Sequence, residues 1–244
     1  MKTSADLCEW LHRTLDVLPL FSYPFDLKAL PSNGIYFFYE RGECCYHEGT
    51  KPRIVRIGTH RDGNFQSRIA EHFLLDERKM AFTQYQPAPH ERSIFRKNIG
   101  RALLHKAGDS YLFVWEIDFT SRESRERNGH LRDINKEVAT EKEVTRILRD
   151  NFSFRFIEVA DQIQRMGIEG LERPLIGTLA SCALCGPSPQ WLGNYSPKPQ
   201  IRESGLWLIQ HLKAAPVSPS QQALMAAAIR AQLQNALDEE LDKS

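Results

Sequence analysis

Four residues of this 244-residue chain have side chains that together can hydrolyse a phosphodiester bond: Tyr36, Arg68, His72 and Glu172. The reaction requires a carboxylate that holds a divalent cation, a positive charge that offsets charge in the transition state, and a base that accepts a proton from water. Arg68 and His72 are one helical turn apart, so they lie on one face and can converge on one ligand. Residue types alone are weak support, because a packed aromatic, a solvated helical face and a carboxylate at a helix N-terminus are the common alternatives.

The elements that position these residues follow from the spacing of the apolar residues. Two short aromatic and β-branched stretches, residues 34 to 39 and 53 to 58, predict a hairpin of two strands. The turn-forming segment Asp62-Gly63-Asn64 follows, and helical spacing begins after it. Further helices are predicted over residues 4 to 18, 94 to 104, 131 to 148, 168 to 181 and 221 to 241, and further strands over residues 111 to 119 and 152 to 159. This mixture predicts an α+β fold.

Four motifs carry a resemblance to a known family: Gly34-Ile35-Tyr36, Val55-Arg56-Ile57-Gly58-Thr59, the helix with Arg68 and His72, and Glu172 followed by Leu175-Ile176. In this order they resemble the GIY-YIG nucleases. The resemblance covers residues 34 to 73 and 137 to 196, and it implies a small three-stranded sheet flanked by helices around one phosphate site. We expect an N-terminal helical extension at residues 1 to 33, a nuclease domain at 34 to 213 with a helix and strand insertion at about 74 to 130, and a linker with a C-terminal helix at 214 to 244.

The resemblance implies a role for five residues of this chain. Tyr36 is expected to be the general base or a water-positioning phenol, Arg68 to contact the scissile phosphate, and Glu172 to bind Mg²⁺ or Mn²⁺. His72 is expected to assist proton transfer or phosphate contact, as in the restriction-endonuclease branch. That branch also uses an asparagine after the glutamate, and Asn194 is the candidate for orienting the substrate.

Arg56 stands where the second motif of the family has a tyrosine. A phenol is a weak base at neutral pH, so Tyr36 needs positive charge nearby, which Arg56, Arg68 or the metal can supply. A guanidinium keeps its charge, however, and cannot relay a proton. The alternative to an active enzyme is therefore a catalytically weak or inactive nucleic-acid-binding protein that retains the fold.

The function expected from the resemblance is metal-dependent cleavage of DNA by an endonuclease of restriction or defence type, with a structure-specific repair nuclease as a further alternative. The formal net charge of +1 means that DNA must be bound by a local basic patch. Arg96, Lys97 and Arg101 lie in a stretch that lacks acidic residues and are predicted to contact DNA phosphates, unless they form an ordinary solvated helix. Cutting both strands with one site per chain favours either a homodimer or two sequential cleavage events.

The composition places the chain among cytoplasmic proteins without a membrane anchor. No apolar run approaches the roughly 20 residues that cross a bilayer, and the N-terminus lacks the layout of a secretory signal. The five cysteines are an odd number without a regular framework, which indicates reduced thiols. Cys182 and Cys185 have the spacing of a zinc-binding pair that Cys44, Cys45 and His47 could complete, so a zinc-structured interaction protein is a third alternative.

Overall fold

The chain folds into a mixed α and β structure with one antiparallel sheet, as the computed structural model shows for residues 3 to 47 and 51 to 241, with side chains described up to residue 238. The helices are α1 (Ser4–Leu15), α2 (Phe65–Phe73), α3 (Pro89–Arg92), α4 (Ile94–Lys106), α5 (Leu112–Glu116), α6 (Arg122–Asn128), α7 (Ile134–Asn151), α8 (Gln162–Met166), α9 (Glu172–Ala180), α10 (Pro199–Ser204) and α11 (Pro219–Leu241). The strands are β1 (Phe21–Ser22), β2 (Gly34–Cys44), β3 (Pro52–Gly58) and β4 (Phe152–Glu158).

The sheet has four strands in the order β1-β4-β2-β3, so the expectation of three strands is corrected. The three longer strands are neighbours, with β2 in register with β3 through Tyr36 and Gly58 and with β4 through Gly34 and Glu158. The extra strand β1 has two residues and pairs Phe21 with Phe154 at the edge. Prolines on both sides of β1 prevent a longer edge strand, because proline donates no backbone hydrogen bond.

The central strand β2 is buried on both faces. Ile35 and Phe37 belong to an apolar cluster that α1, α9 and α11 complete. Tyr36 and Phe38 point the other way, into a second cluster with residues of α2, α4 and α7. A strand enclosed on both sides needs a nearly continuous apolar run, which explains why residues 34 to 39 lack polar alternation. The sheet is therefore the middle layer, and Tyr36 faces α2 and α4.

The insertion at residues 74 to 130 is helical, and the strand predicted over residues 111 to 119 is wrong. The Asp109 carboxylate accepts the backbone N–H of Tyr111 at 2.9 Å, and α5 begins directly after this turn. Trp115 then packs on α4, where a Cβ added at Gly100 would lie 2.3 Å from the indole ring. Tyr111, Trp115 and Phe119 are buried by helix packing. A short apolar run of this kind does not by itself distinguish a strand from a short helix.

The long helix α11 closes the sheet face that carries Ile35. Met225 and Ile229 enter the apolar cluster there, and the Gln232 side chain accepts the backbone N–H of Glu158 at 3.0 Å. These contacts make α11 a packing element of the domain core. No helix in the described ranges is both long and apolar enough to cross a bilayer.

Candidate active site

A cavity of about 320 Å³ lies at the end of β3, between α2, α4 and the first turn of α9. Tyr36, Arg56, Arg68 and Glu172 line this cavity. His72 contacts Tyr36 from the protein interior. Five of the six predicted catalytic residues, distant along the chain, thus meet in one place.

Gly58 allows the Tyr36 ring to reach the cavity. The two residues are cross-strand partners on β2 and β3. A Cβ added at Gly58 would lie 2.4 Å from the Tyr36 hydroxyl oxygen and 2.5 Å from the ring carbon that bears it. Any other residue at this position would therefore displace the phenol. This steric constraint explains why the second motif has a glycine here.

His72 holds the Tyr36 hydroxyl. Its Nε2 lies 3.1 Å from the phenolic oxygen, and its Nδ1 lies 2.7 Å from Ser93 Oγ. Burial, together with the charges of three nearby arginines, lowers the pKa of His72 well below its ordinary value. The imidazole is therefore neutral at neutral pH. The His72 ring is fully buried, so it does not fit the expected contact with a phosphate. Its hydrogen bond with Tyr36 does fit the expected part in proton transfer.

Arg56 places a fixed positive charge beside Tyr36. Its Nη1 donates to the Trp207 carbonyl at 2.6 Å, and its guanidinium lies 4.8 Å from the centre of the Phe95 ring. Burial lowers the pKa of Arg56, while the interactions with Tyr36 and Glu172 raise it. An arginine remains charged despite such a shift, so the cavity holds a guanidinium where the family pattern has a second phenol.

Arg68 links this cavity to a second one of about 470 Å³ that Thr59, His60 and Arg61 also line. Its Nη1 donates to Glu71 at 2.8 Å and to the Arg92 carbonyl at 2.6 Å. Among the described residues, both hydrogen bonds of the Arg68 side chain use the same guanidinium nitrogen, Nη1. The side chain is 36% exposed. Its remaining donors are available to an anion that reaches the cavity.

Glu172 is the first residue of α9 and the one carboxylate among the described residues that line the cavity. Burial raises the pKa of Glu172, and the Arg56 charge and the Thr59 backbone N–H oppose this shift. A site with one carboxylate suits Mg²⁺, which keeps several waters and binds through one or two carboxylates together with substrate phosphate. The residues present therefore fit a hard divalent cation at Glu172.

Asn194 lies elsewhere, contrary to the expectation. Its amide Nδ2 donates to the carbonyls of Ser188 and Pro189 at 2.8 and 3.2 Å, and the residue does not line the cavity. Asn194 therefore stabilises the loop before it. This loop joins α9 to α10 and does not return to the first turn of α9, where Glu172 lies. The order of residues along the chain was therefore a poor guide to whether Asn194 reaches the cavity.

Asn98 of α4 supplies an amide that the sequence analysis did not identify. Its side chain lines the cavity and is 1% exposed. Arg101 Nη1 donates to its Oδ1 at 2.6 Å, while its Nδ2 has no partner among the described residues. An asparagine in the middle of a predicted helix, with an arginine one turn later, is the signal that the sequence offered, because asparagine is a poor interior helix residue.

The three residues of α4 that were predicted to contact DNA phosphates are internal, so this prediction is wrong. Arg96, Lys97 and Arg101 are all buried. The three side chains pair with carboxylates, as follows: Arg96 with Glu141, Lys97 with Glu91, and Arg101 with Glu116. Their acidic partners lie outside the stretch itself, which explains why the stretch resembled an unpaired basic surface.

Comparison with known proteins identifies a family for this chain. A family model described as the GIY-YIG domain matches residues 11–235. The matched range includes the hairpin, the insertion, Glu172 and every residue that lines the cavity. No curated protein and no solved structure matches the chain.

Proposed function

Since the chain belongs to the GIY-YIG family of nucleases, we propose that it hydrolyses DNA phosphodiester bonds in the cavity that Tyr36, Arg56, Arg68 and Glu172 line, with Mg²⁺ or Mn²⁺ as cofactor. The observation that carries the proposal is the meeting of these side chains at the end of β3. Nucleases of this family generally depend on a divalent metal, and the donor set at Glu172 fits one.

Each side chain has a distinct task in the proposed reaction. Tyr36 accepts a proton from the attacking water, and the Arg56 charge stabilises the phenolate that must form first. Arg68 donates to a phosphate oxygen through the donors that Glu71 and Arg92 leave unused. Asn98 presents its unpartnered Nδ2 to a substrate oxygen. Glu172 holds the cation, which neutralises developing negative charge when bound.

His72 acts through Tyr36 as a positioning residue. The neutral imidazole shares one hydrogen bond with the phenol and one with Ser93, so it fixes the direction of the phenolic O–H. A protonated imidazole at this position would place a buried positive charge near those of Arg56, Arg68 and Arg96. Burial first, and then the three arginine charges, lower the pKa of His72.

Arg56 favours an active enzyme over an inactive relative that keeps the fold. In an inactive relative, nothing would require an ordered cation at this position. Arg56 is nevertheless held by the Trp207 carbonyl and the Phe95 ring. Its charge interacts with Tyr36 and Glu172. The Arg56 guanidinium therefore lies where its charge stabilises both the Tyr36 phenolate and the Glu172 carboxylate.

Restriction-type cleavage of double-stranded DNA, in a defence role, is the specific form of the activity that we propose. His72, one turn after Arg68 and bonded to Tyr36, supports this form because that arrangement resembles the restriction branch. One active site in each chain cuts one strand at a time, so a homodimer is proposed for cutting both strands. The expected product is linear plasmid with paired ends, and nicked circles as the final product would contradict this form.

Plasmid cleavage with Mg²⁺ or Mn²⁺ tests the proposed function. We expect the natural protein to cleave and Glu172→Ala to lose at least about 100-fold in rate, because the carboxylate holds the metal. Glu169→Ala is the matched control, since Glu169 is exposed in the segment directly before α9 and is expected to retain the activity. Equal cleavage by the natural protein and Glu172→Ala, or cleavage by neither, would contradict the proposal.

A further inference from the structure

A second cluster of chemically reactive side chains lies beyond the active site, next to α1 and the C-terminal end of α9. The ligand atoms of Cys8, His47, Cys182 and Cys185 all lie within 4.8 Å of one another. Cys8 belongs to α1, His47 follows β2, and the two other cysteines follow α9. We propose that these four side chains bind one structural zinc ion.

The spacing of the four ligand atoms suits a single tetrahedral ion. Zinc–sulfur bonds of about 2.3 Å and zinc–nitrogen bonds of about 2.0 Å place neighbouring ligand atoms roughly 3.5 to 3.8 Å apart. His47 Nε2 and Cys182 Sγ are already 3.2 Å apart, and the widest separation in the group stays within 4.8 Å. The described cysteines are all free thiols, so these atoms are brought together without disulfide bonds.

Two neighbouring side chains, His12 and Cys45, lie outside the proposed ligand set. His12 Nδ1 donates to the Cys8 carbonyl at 2.9 Å, and its Nε2 accepts the Ile54 N–H at 3.2 Å, so both ring nitrogens are occupied. Cys45 Sγ lies 3.4 Å from Cys185 Sγ but outside the group of four. Cys45 is therefore a thiol that contacts a ligand, and Cys45→Ser is a control for the loss of a nearby thiol that does not bind the ion.

A site with four protein ligands leaves no open position for a substrate or water, which is the mark of structural zinc. The proposed ion joins three segments that are far apart along the chain. One of them follows α9, whose nine residues separate the ligands from Glu172 by about 13 Å. Zinc would therefore fix α1 and α9 against the hairpin without taking part in the active site.

Metal analysis of the full chain, purified without added chelator, tests the proposal. We expect about one zinc per chain in the natural protein and in Cys44→Ser, Cys45→Ser and Glu172→Ala, and less than about a tenth of that in Cys8→Ser and Cys182→Ser. The retained zinc in Glu172→Ala separates this site from the active-site cation. Removal of zinc from the natural protein with a chelator is expected to lower the Tm by at least about 10 °C.

Cobalt substitution keeps the test valid even if a cysteine variant fails to fold. The natural protein, reduced and loaded with Co²⁺ in place of zinc, is expected to show thiolate-to-cobalt charge transfer and intense visible bands of tetrahedral cobalt. Weak octahedral bands, or iron with sulfide in the purified protein, would overturn the proposal. Loss of zinc in Cys45→Ser with retention in Cys8→Ser would overturn the ligand set.

Discussion

The arginines of the active-site cavity and the basic residues of α4 have the same side-chain chemistry and opposite surroundings. Arg56 and Arg68 direct charge toward a cavity, where an anionic ligand can complete their interactions. Arg96 and Arg101 are enclosed by carboxylates and carbonyls that already satisfy them. This difference teaches that a cluster of basic residues in the sequence does not by itself indicate a binding surface. Whether a basic side chain stabilises the fold or binds an anionic ligand depends on which groups surround it.

The two regions are nevertheless in contact. Arg96 Nη1 donates to the His72 carbonyl at 3.0 Å, and Arg101 holds the Asn98 amide that lines the cavity. The buried cations therefore support the site from behind.

Removal of the Arg96 side chain is expected to have the largest effect on stability. Arg96→Ala leaves the Glu141 carboxylate in the interior without its main cation, which costs about 3 to 5 kcal/mol of unfolding free energy. Urea unfolding measures this loss. Arg146→Ala is the control, because Arg146 pairs with Glu143 on the exposed face of α7 and should cost less than about 1 kcal/mol. A small loss for Arg96→Ala with a changed salt dependence of DNA binding would contradict the internal role.

Two buried glutamates extend the comparison to acidic groups. The cations Arg96 and His90 overcome the effect of burial and lower the pKa of Glu141 to about 2. Glu40 instead accepts the indole N–H groups of Trp191 and Trp207 at 2.8 and 2.9 Å. Burial raises the pKa of Glu40 to about 7, since indoles supply hydrogen bonds but no charge.

The pH dependence of stability tests this contrast. Between pH 4.5 and about 7 the folded chain keeps a proton on Glu40 that the unfolded chain releases. The unfolding free energy should therefore fall as pH rises through this window, by about 3 kcal/mol from this group. Glu40→Gln should remove that part of the slope, measured by urea unfolding at pH 5 and pH 8. An unchanged slope in Glu40→Gln, relative to the exposed control Glu126→Gln, would show that Glu40 is ionised in the folded chain.

Arg68 is expected to give the smallest of these effects in free energy, and it concerns DNA. Arg68→Ala should weaken duplex binding about tenfold and reduce the salt slope by about one, because one phosphate contact is lost. Fluorescence anisotropy over a salt series, with EDTA present to prevent cleavage, measures both quantities. Arg78→Ala is the control, since Arg78 is a highly exposed cation outside both cavities. The idea fails if Arg68→Ala and Arg78→Ala have equal slopes.

The sequence was a good guide where local pattern and tertiary surroundings agree. The hairpin, the α2 helix and the strand β4 are close to their predicted places, because aromatic and β-branched stretches pack well in an enclosed sheet. The motif residues also meet in one cavity, since strand pairing and the sheet edge fix their positions.

The sequence was a poor guide where a long-range partner decides. The pairing of α4 cations with Glu141 and Glu116 depends on packing between helices, which no local pattern shows. The contribution of Cys8 to the thiol cluster has the same cause, since α1 brings it there from the far end of the chain. The strand prediction for residues 111 to 119 was wrong for a related reason, because a short apolar run is compatible with a helix as well as with a strand.

The cleavage rate of Tyr36→Phe in a single turnover, at saturating Mg²⁺, tests the central claim most directly. The substitution removes one oxygen from the ring and leaves its packing. The account predicts a loss of at least about 100-fold, because the group that accepts the proton is gone. Tyr39→Phe is the matched control, since Tyr39 lies on the same strand in the opposite apolar cluster, and it should retain the natural rate. A Tyr36→Phe rate within about twofold of the natural protein would contradict the account.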